Sequence, residues 1–145
     1  MTSIVESEIK KAQEKVKYNT VDYSLEYFLS LTFSIKENSW SIEEQSHFIE
    51  SLLIGLPMPQ VVIYDPFLGE DDEGEHLEIF NGENSLSTVI DFIKGNLKLE
   101  GLKILTSLNG FKFTDLVLSR QRRFKRITVK TIQIHPQSDL SYWNF

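Results

Sequence analysis

Residues 77–95, LEIFNGENSLSTVIDFIKG, contain the passage from strand to helix around which this chain is organised. Residues 77–80 form a short run of strand formers, and the Asn81-Gly82 pair after them forces a tight turn. The apolar residues beyond the turn have the i, i+3, i+4, i+7 spacing of a buried helix face, and they are Leu86, Val89, Ile90 and Ile93. This stretch therefore predicts a strand, a turn and a helix that ends at Gly95.

Three helices are predicted before this stretch. Residues 3–17 carry an apolar stripe at helical spacing, made by Val5, Ile9, Ala12 and Val16. Residues 24–31 predict a second, short helix. A third helix begins after Ser41, which can cap it while Glu44 returns the hydrogen bond as a capping box, and it ends at Gly55. The N-terminal part of the chain is therefore predicted to be helical.

Two further strands are predicted at residues 60–64 and 127–134, where β-branched side chains dominate. The acidic stretch at residues 65–75 is typical of a hairpin loop. Short extended pieces are predicted at residues 97–105 and 111–116. Because helices come first and strands then mix with helices, the sequence predicts a single α+β domain. Its N-terminal helices precede a small mixed sheet, with a helix after the turn.

Composition limits the class of protein that this chain can be. Its 145 residues fit one ordinary domain, and 41% hydrophobic residues are enough for a packed core. The absence of cysteine excludes disulfides, thiolate metal sites and cysteine nucleophiles. No apolar leader follows Met1 and no segment is long enough to span a bilayer, so a cytoplasmic protein without membrane contact is expected.

The net charge of −6 conceals two segments of opposite sign. Residues 65–75 carry six acids and no base, and residues 120–130 carry six bases and no acid. These bases form the basic strip, which comprises Arg120, Arg122, Arg123, Lys125, Arg126 and Lys130. The acidic total argues against bulk capture of nucleic acid, although a local basic strip can hold phosphates. The simpler interpretation is that both segments are solvated faces.

Sequence motifs for metal binding, phosphate binding and covalent catalysis are missing. There is no phosphate loop and no dinucleotide glycine motif, and the acidic stretch lacks the register of an EF-hand. The three histidines stand far apart, and no Gly-x-Ser-x-Gly elbow supports a serine nucleophile. The sequence therefore predicts no catalytic residue, no metal site and no cofactor.

One block of the sequence is specific enough to suggest a family. It runs from Trp40-Ser41 through Gln45 and residues 49–51 to GLPMP at residues 55–59, and the predicted strands and turn follow. This arrangement resembles the N-terminal domain family of GmrSD-type restriction and phage-defence enzymes. Less specific matches to the same family continue at residues 99–102, 108–110, 113–116 and 127–134.

The resemblance covers residues 18–140 and implies a ParB/sulfiredoxin-like fold. It divides the chain into an N-terminal helix at residues 1–17, the ParB/sulfiredoxin-like domain at residues 18–140 and an aromatic tail at residues 141–145. Relatives in the family bind and hydrolyse nucleoside triphosphates in this domain. They often use it to control a nuclease domain further along the chain, and no nuclease ligands are present in this sequence.

The signature of the family is Asp-Gly-Gln-Gln-Arg followed by Leu-Thr-Thr. It falls here on Asn81-Gly82-Glu83-Asn84-Ser85, the signature turn, followed by Leu86-Ser87-Thr88. Only Gly82 is retained among the first five positions. Lys36 takes the position of an arginine that the family has upstream of the conserved tryptophan.

These replacements change the chemistry that the turn can support. A turn that enters a helix suits phosphate because its N–H groups are free and the helix dipole is positive there. Ser85 cannot replace the bidentate fork of an arginine, and Glu83 repels an incoming triphosphate. Asn81 can neither act as a base nor hold Mg²⁺ well. The scaffold is expected to be retained and the chemistry lost.

The sequence therefore predicts a non-catalytic binding or regulatory module, derived from the nucleotide-binding domain of phage-defence enzymes. Its expected partner is another protein or a second copy of the chain, and its vestigial site comprises Asn81, Gly82, Glu83, Asn84, Ser85 and Lys36.

Two alternatives stay open. The first is an NTPase or nucleotide sensor that uses Mg-NTP in an altered pocket, with Lys36, Arg120 or Arg122 supplying the positive charge. The second is nucleic-acid binding in which Phe124 stacks on bases, with phosphate contacts from Arg120, Arg122, Arg123, Lys125 and Arg126.

Overall fold

The structure, a computed structural model, describes residues 2–31, 33–34, 37–66 and 77–143. These residues form a mixed α+β arrangement with five helices and one mixed sheet. The predicted α+β class is therefore confirmed. Lys36 and most of the predicted acidic loop lie outside the described residues.

The sheet has the strand order β1-β5-β3-β4-β2. Strand β5 pairs antiparallel with β1 and parallel with β3, while β4 pairs antiparallel with β3 and parallel with β2. The strands are β1 (Tyr18–Ser24), β2 (Phe33–Ser34), β3 (Val61–Tyr64), β4 (Leu77–Asn81) and β5 (Thr128–Ile134). The three predicted strands correspond to β3, β4 and β5, and the two edge strands were not predicted.

Four of the five helices correspond to predicted ones, and α5 was not predicted. The helices are α1 (Thr2–Gln13), α2 (Leu25–Leu29), α3 (Ile42–Leu53), α4 (Glu83–Ile93) and α5 (Leu118–Lys125). The short extended pieces predicted at residues 97–105 and 111–116 do not form strands of the sheet. A short 3-10 helix at Phe113–Asp115 lies within the second piece, another at Thr106–Leu108 lies between the two pieces, and a third lies at Leu140–Tyr142.

Both ends of α3 follow the prediction. The Ser41 hydroxyl accepts a hydrogen bond from the Glu44 N–H at 3.1 Å, and the Ser41 N–H donates to the Glu44 carboxylate at 3.4 Å, which completes the capping box. At the other end Gly55 has a φ of +99°, and the next residue, Leu56, donates its N–H to the Ser51 carbonyl at 2.9 Å. This satisfies a carbonyl that the last helical turn leaves free.

The core lies between the helices and the sheet. Leu86, Val89 and Phe92 form the fully buried face of α4. The spacing predicted Leu86 and Val89, whereas the predicted Ile90 and Ile93 are only partly buried and Phe92 was not predicted. Phe92 also makes edge-on contacts with Phe113 and Phe124, with ring centroids 5.5 and 5.3 Å away. Phe124 is only 2% exposed, so this aromatic cluster docks α5 onto the C-terminal end of α4.

Residues 97–105 lie along α3 without forming a strand, because side chains of α3 hold their backbone. The buried Glu50 carboxylate accepts hydrogen bonds from the Ile104 and Leu105 N–H groups at 3.1 and 2.8 Å. The Ser46 hydroxyl accepts one from the Glu100 N–H at 3.0 Å. These side chains satisfy buried backbone groups, while Leu99 makes two backbone hydrogen bonds of its own, to Phe111 at 2.8 Å and from Gly110 at 2.6 Å.

Helix α1 differs from its prediction in length and in burial. It ends at Gln13 instead of continuing to Lys17, and none of its residues is buried. Val5 and Ile9, at the centre of its apolar stripe, are 52% and 45% exposed. The stripe is therefore not part of the core.

The segment after α1 is held by residues near the C-terminus. Ser138 is 7% exposed, and its hydroxyl donates to the Lys15 carbonyl at 3.1 Å while accepting from the Lys17 N–H at 3.3 Å. The Trp143 indole N–H donates to the same hydroxyl at 3.0 Å, and its ring meets Tyr18 edge-on at 5.4 Å. Trp143 of the predicted aromatic tail therefore docks onto the body of the protein.

The 3-10 helix in this tail is capped by Asp139. The carboxylate accepts hydrogen bonds from the Ser141 hydroxyl at 2.6 Å and from the Ser141 N–H at 3.0 Å. These bonds, first the one from the hydroxyl, hold the pKa of Asp139 below its ordinary value. The cap is therefore present above the ordinary pKa of an aspartate and is lost as the pH falls through the lowered value.

We predict that Ser138→Ala lowers the free energy of unfolding by about 1–2 kcal/mol, because its buried hydrogen-bond partners are left unsatisfied. Urea denaturation measures the loss. As a control, Ser107→Ala removes an exposed hydroxyl and should change stability by less than about 0.5 kcal/mol. Equal effects of the two substitutions would show that Ser138 does not anchor the tail.

Candidate functional site

The signature turn depends on the backbone of Gly82. This residue has a φ of +96°, in the left-handed region that glycine adopts without steric cost. A Cβ added there would lie 3.1 Å from the Val61 Cγ2 and 3.5 Å from the Gln60 carbonyl oxygen. Glycine is therefore required both by the turn and by its close approach to β3.

Helix α4 begins directly after this glycine. Gly82 provides no side-chain cap, and its carbonyl accepts the helical hydrogen bond from the Leu86 N–H at 2.9 Å. The first N–H groups of α4 thus resemble the kind of helix terminus that binds anions. Glu83 lies in this first turn, however, and its carboxylate offsets the positive end of the helix dipole.

A network of amide and hydroxyl groups clamps residues 38–39 onto α4. The Asn84 amide donates to the Ser39 hydroxyl at 2.9 Å and accepts from the Ser39 N–H at 3.1 Å. The Asn38 amide donates to the Thr88 hydroxyl at 2.9 Å. Asn84 of the signature turn and Thr88 of α4 therefore attach residues 38–39 to α4.

An open cleft of about 470 Å³ lies beside this clamp. Its lining residues are Glu37, Ser39, Trp40, Phe80, Asn81, Gly82, Glu83, Asn84 and Ser85. Among the described residues that line it, two are carboxylates and none is a base. The cleft of the signature turn is therefore acidic in the part of the chain that the structure describes.

Two aromatic rings and one hydroxyl complete the cleft. Trp40 is braced by Phe48 at 5.3 Å between ring centroids, and Phe80 is braced by Tyr64 at 5.7 Å. The residue Ser85 is only 7% exposed, and its hydroxyl makes no hydrogen bond within the described residues. Because no buried side-chain oxygen or nitrogen in those residues lacks a partner, this hydroxyl is open to the cleft, where a ligand can reach it.

The structure brings together all five residues predicted for the signature turn, Asn81 to Ser85. Lys36, the sixth, lies outside the described residues. Sequence reasoning missed Glu37, Ser39 and Phe80 as lining residues, and it placed Trp40 only as an anchor for α3. The signal that could have found Glu37 and Ser39 was their position next to the resemblance block.

The basic strip lies elsewhere, on and after α5. Its four arginines, Arg120, Arg122, Arg123 and Arg126, are all exposed. Lys125 is half-buried, with its ammonium 5.9 Å from the centre of the Phe113 ring. The proposed stacking of Phe124 on bases is wrong, because this ring is buried against Phe92 and Phe113.

The part of the strip that lies on α5 and the signature turn are at opposite ends of α4. Lys130 lies on β5 instead, next to Thr131, which pairs with Val61 beside the turn. Phe124 of α5 contacts Phe92, which follows Glu83 by nine residues in the same helix. That separation corresponds to about 14 Å along a helix axis. None of the arginines lines the cleft.

Comparisons with family models, curated proteins and solved structures give no match to this chain. The resemblance found in the sequence therefore remains a hypothesis. Among the described residues, no cluster of His, Asp or Glu side chains is placed to hold a metal ion. Nor does any helix in those ranges have the length and apolarity needed to cross a membrane, and the cytoplasmic location stays a prediction.

The requirement for glycine at the turn can be tested with a matched pair of substitutions. Gly82 and Gly55 have φ values of +96° and +99°, but a Cβ at Gly55 would meet nothing within 4 Å. We predict that Gly55→Ala costs about 1–2 kcal/mol for the left-handed backbone alone, and that Gly82→Ala costs more because of Val61. Chemical denaturation measures the free energy of unfolding of both variants. Equal losses of stability would contradict a requirement for glycine that comes from the close approach of Gly82 to Val61.

Proposed function

We propose that this chain is a non-catalytic binding module derived from the nucleotide-binding domain of GmrSD-type enzymes, with a ParB/sulfiredoxin-like fold. The observation that carries the proposal is the cleft at the signature turn. Its glycine, turn and helix start resemble a phosphate site, while its described charges are the carboxylates of Glu37 and Glu83. A module that keeps the shape of the site without its positive charge is suited to binding rather than to hydrolysis.

The chemistry of phosphoryl transfer supports this proposal. Its catalysis depends on cations that neutralise charge on the transferred phosphoryl group and on a group that orients the nucleophile. At the signature turn, Asn81 and Ser85 carry no charge, and the Asn84 amide is engaged by Ser39. The residues of the turn therefore offer no phosphate-binding cation, and Glu83 is their one carboxylate.

The alternative, an NTPase or nucleotide sensor, needs a cation at the turn. The arginines of the basic strip lie near the far end of α4 and are not part of the cleft lining. This separation argues against Arg120 and Arg122 as that cation, while Lys36, the third candidate, lies outside the described residues.

We expect no release of phosphate above the buffer level when the protein is incubated with each ribonucleoside triphosphate and Mg²⁺. Thermal shift in the same mixtures measures binding, since a ligand at 100 times its Kd stabilises the fold by about 2.7 kcal/mol. Mg²⁺-dependent hydrolysis that disappears in Asn81→Ala or Ser85→Ala would contradict the proposal. A thermal shift without hydrolysis would instead support the nucleotide sensor.

We further propose that the partner of this module is a second copy of the chain, which packs against α1. Val5 and Ile9 form an exposed apolar stripe that the core leaves uncovered. Self-association through this stripe removes the apolar side chains of both copies from water.

We predict that the double substitution Val5→Asp and Ile9→Asp weakens self-association at least tenfold. Burial of even one valine side chain contributes about 1.5 kcal/mol, and the added carboxylates repel each other. Sedimentation equilibrium measures the association constant. Ser7→Asp places the same charge on the opposite face of α1 and serves as the control. A monomeric wild-type protein, or an equal effect of Ser7→Asp, would rule out α1 as the interface.

A further inference from the structure

The charges of the cleft indicate which ligands it can accept. Glu37 and Glu83 each contribute a carboxylate, while the start of α4 contributes about half a positive charge. The described lining is therefore negative on balance, and it attracts cations. A triphosphate would be repelled by the same residues.

The rings of the cleft restrict the shape of such a cation. Trp40 and Phe80 both line it, and each ring is braced on another side by a neighbouring aromatic ring. Fixed aromatic faces attract cations through their quadrupoles, and flat cations can also stack on them. The cleft thus combines carboxylates with preorganised aromatic surface.

The hydroxyl of Ser85 supplies an independent observation. The residue Ser85 is only 7% exposed, while its hydroxyl has no hydrogen-bond partner among the described residues and is reached from the cleft. A hydroxyl in this position can accept a hydrogen bond from an N–H donor of a ligand. The Asn81 side chain lines the same cleft and provides a further acceptor.

We propose that this cleft binds a guanidinium group, such as the arginine side chain of a peptide. The inference rests on the proposed non-catalytic function, because it assigns a ligand to the same site. A guanidinium ion is planar, carries five N–H donors and pairs with carboxylates through two parallel hydrogen bonds. It therefore matches carboxylates, ring faces and scattered acceptors better than a compact ammonium ion does. The volume of about 470 Å³ is sufficient for such a side chain.

The test is a calorimetric titration of the full chain with N-acetyl-arginine amide at low salt. The control ligand is N-acetyl-citrulline amide, which has a similar shape and no charge. We expect saturable binding of the arginine compound and at least tenfold weaker binding of the citrulline compound. A second titration with methylguanidinium shows whether the natural ligand is a peptide or a free guanidine compound. Tighter binding of N-acetyl-arginine amide than of methylguanidinium identifies a peptide, and equal binding identifies a free guanidine compound.

Substitutions then locate the binding site. Glu37→Gln and Glu83→Gln should each weaken binding of the arginine compound about fivefold, which corresponds to about 1 kcal/mol. Glu100→Gln removes an exposed carboxylate that is not part of the cleft and should leave the Kd unchanged. Equal binding of arginine and citrulline amides, or equal losses in all three variants, would overturn the inference.

A measurement of phosphate release distinguishes a failure of the guanidinium site from a failure of the non-catalytic function on which it rests. If no hydrolysis occurs and the arginine compound fails to bind, the guanidinium site is refuted and the non-catalytic module stands. If Asn81-dependent hydrolysis occurs, the module itself is refuted, and the guanidinium site is refuted with it.

Discussion

The left-handed backbone of Gly82 is the constraint on which the functional part of the structure depends. It allows β4 to turn directly into α4 while the turn approaches β3 within van der Waals distance. Because α4 then runs across the sheet, its apolar face supplies Leu86, Val89 and Phe92 to the core. The same turn leaves the start of α4 facing outward, where it forms the wall of the cleft. The position of α4 and the wall of the cleft thus both depend on Gly82.

The clamp between residues 38–39 and α4 gives the cleft its second wall. The hydrogen bonds of Asn84 to Ser39 and of Asn38 to Thr88 join segments that lie more than 40 residues apart in the sequence. They also bring Trp40 to the cleft, next to the start of α3. Amide groups of the signature turn and of the segment before α3 thus hold two parts of the protein in contact. A site whose walls are joined in this way is preorganised for a ligand that fits its charges.

Local patterns in the sequence were enough to predict much of the fold. The capping box of Ser41, the β-branched runs and the Asn81-Gly82 turn each determine structure within a few residues, and they predicted α3, β3, β5 and the strand–turn–helix unit. Helix α5 was missed because Phe124 is its one buried residue, so no apolar period marks it. Edge strand β1 is mostly exposed and shows little alternation. The signature residues of the site could be predicted, but Glu37 joins them only through tertiary contacts.

The anchoring of residues 15–17 by Ser138 has a consequence for the order in which the chain folds. The groups that meet there are about 120 residues apart, and β1 pairs along its whole length with β5. During synthesis, β1 leaves the ribosome long before β5, so it must wait without its partner strand while the segments between them form. Contacts that close such long loops form slowly. Helix α1, none of whose residues is buried, does not depend on the sheet and can form in the meantime.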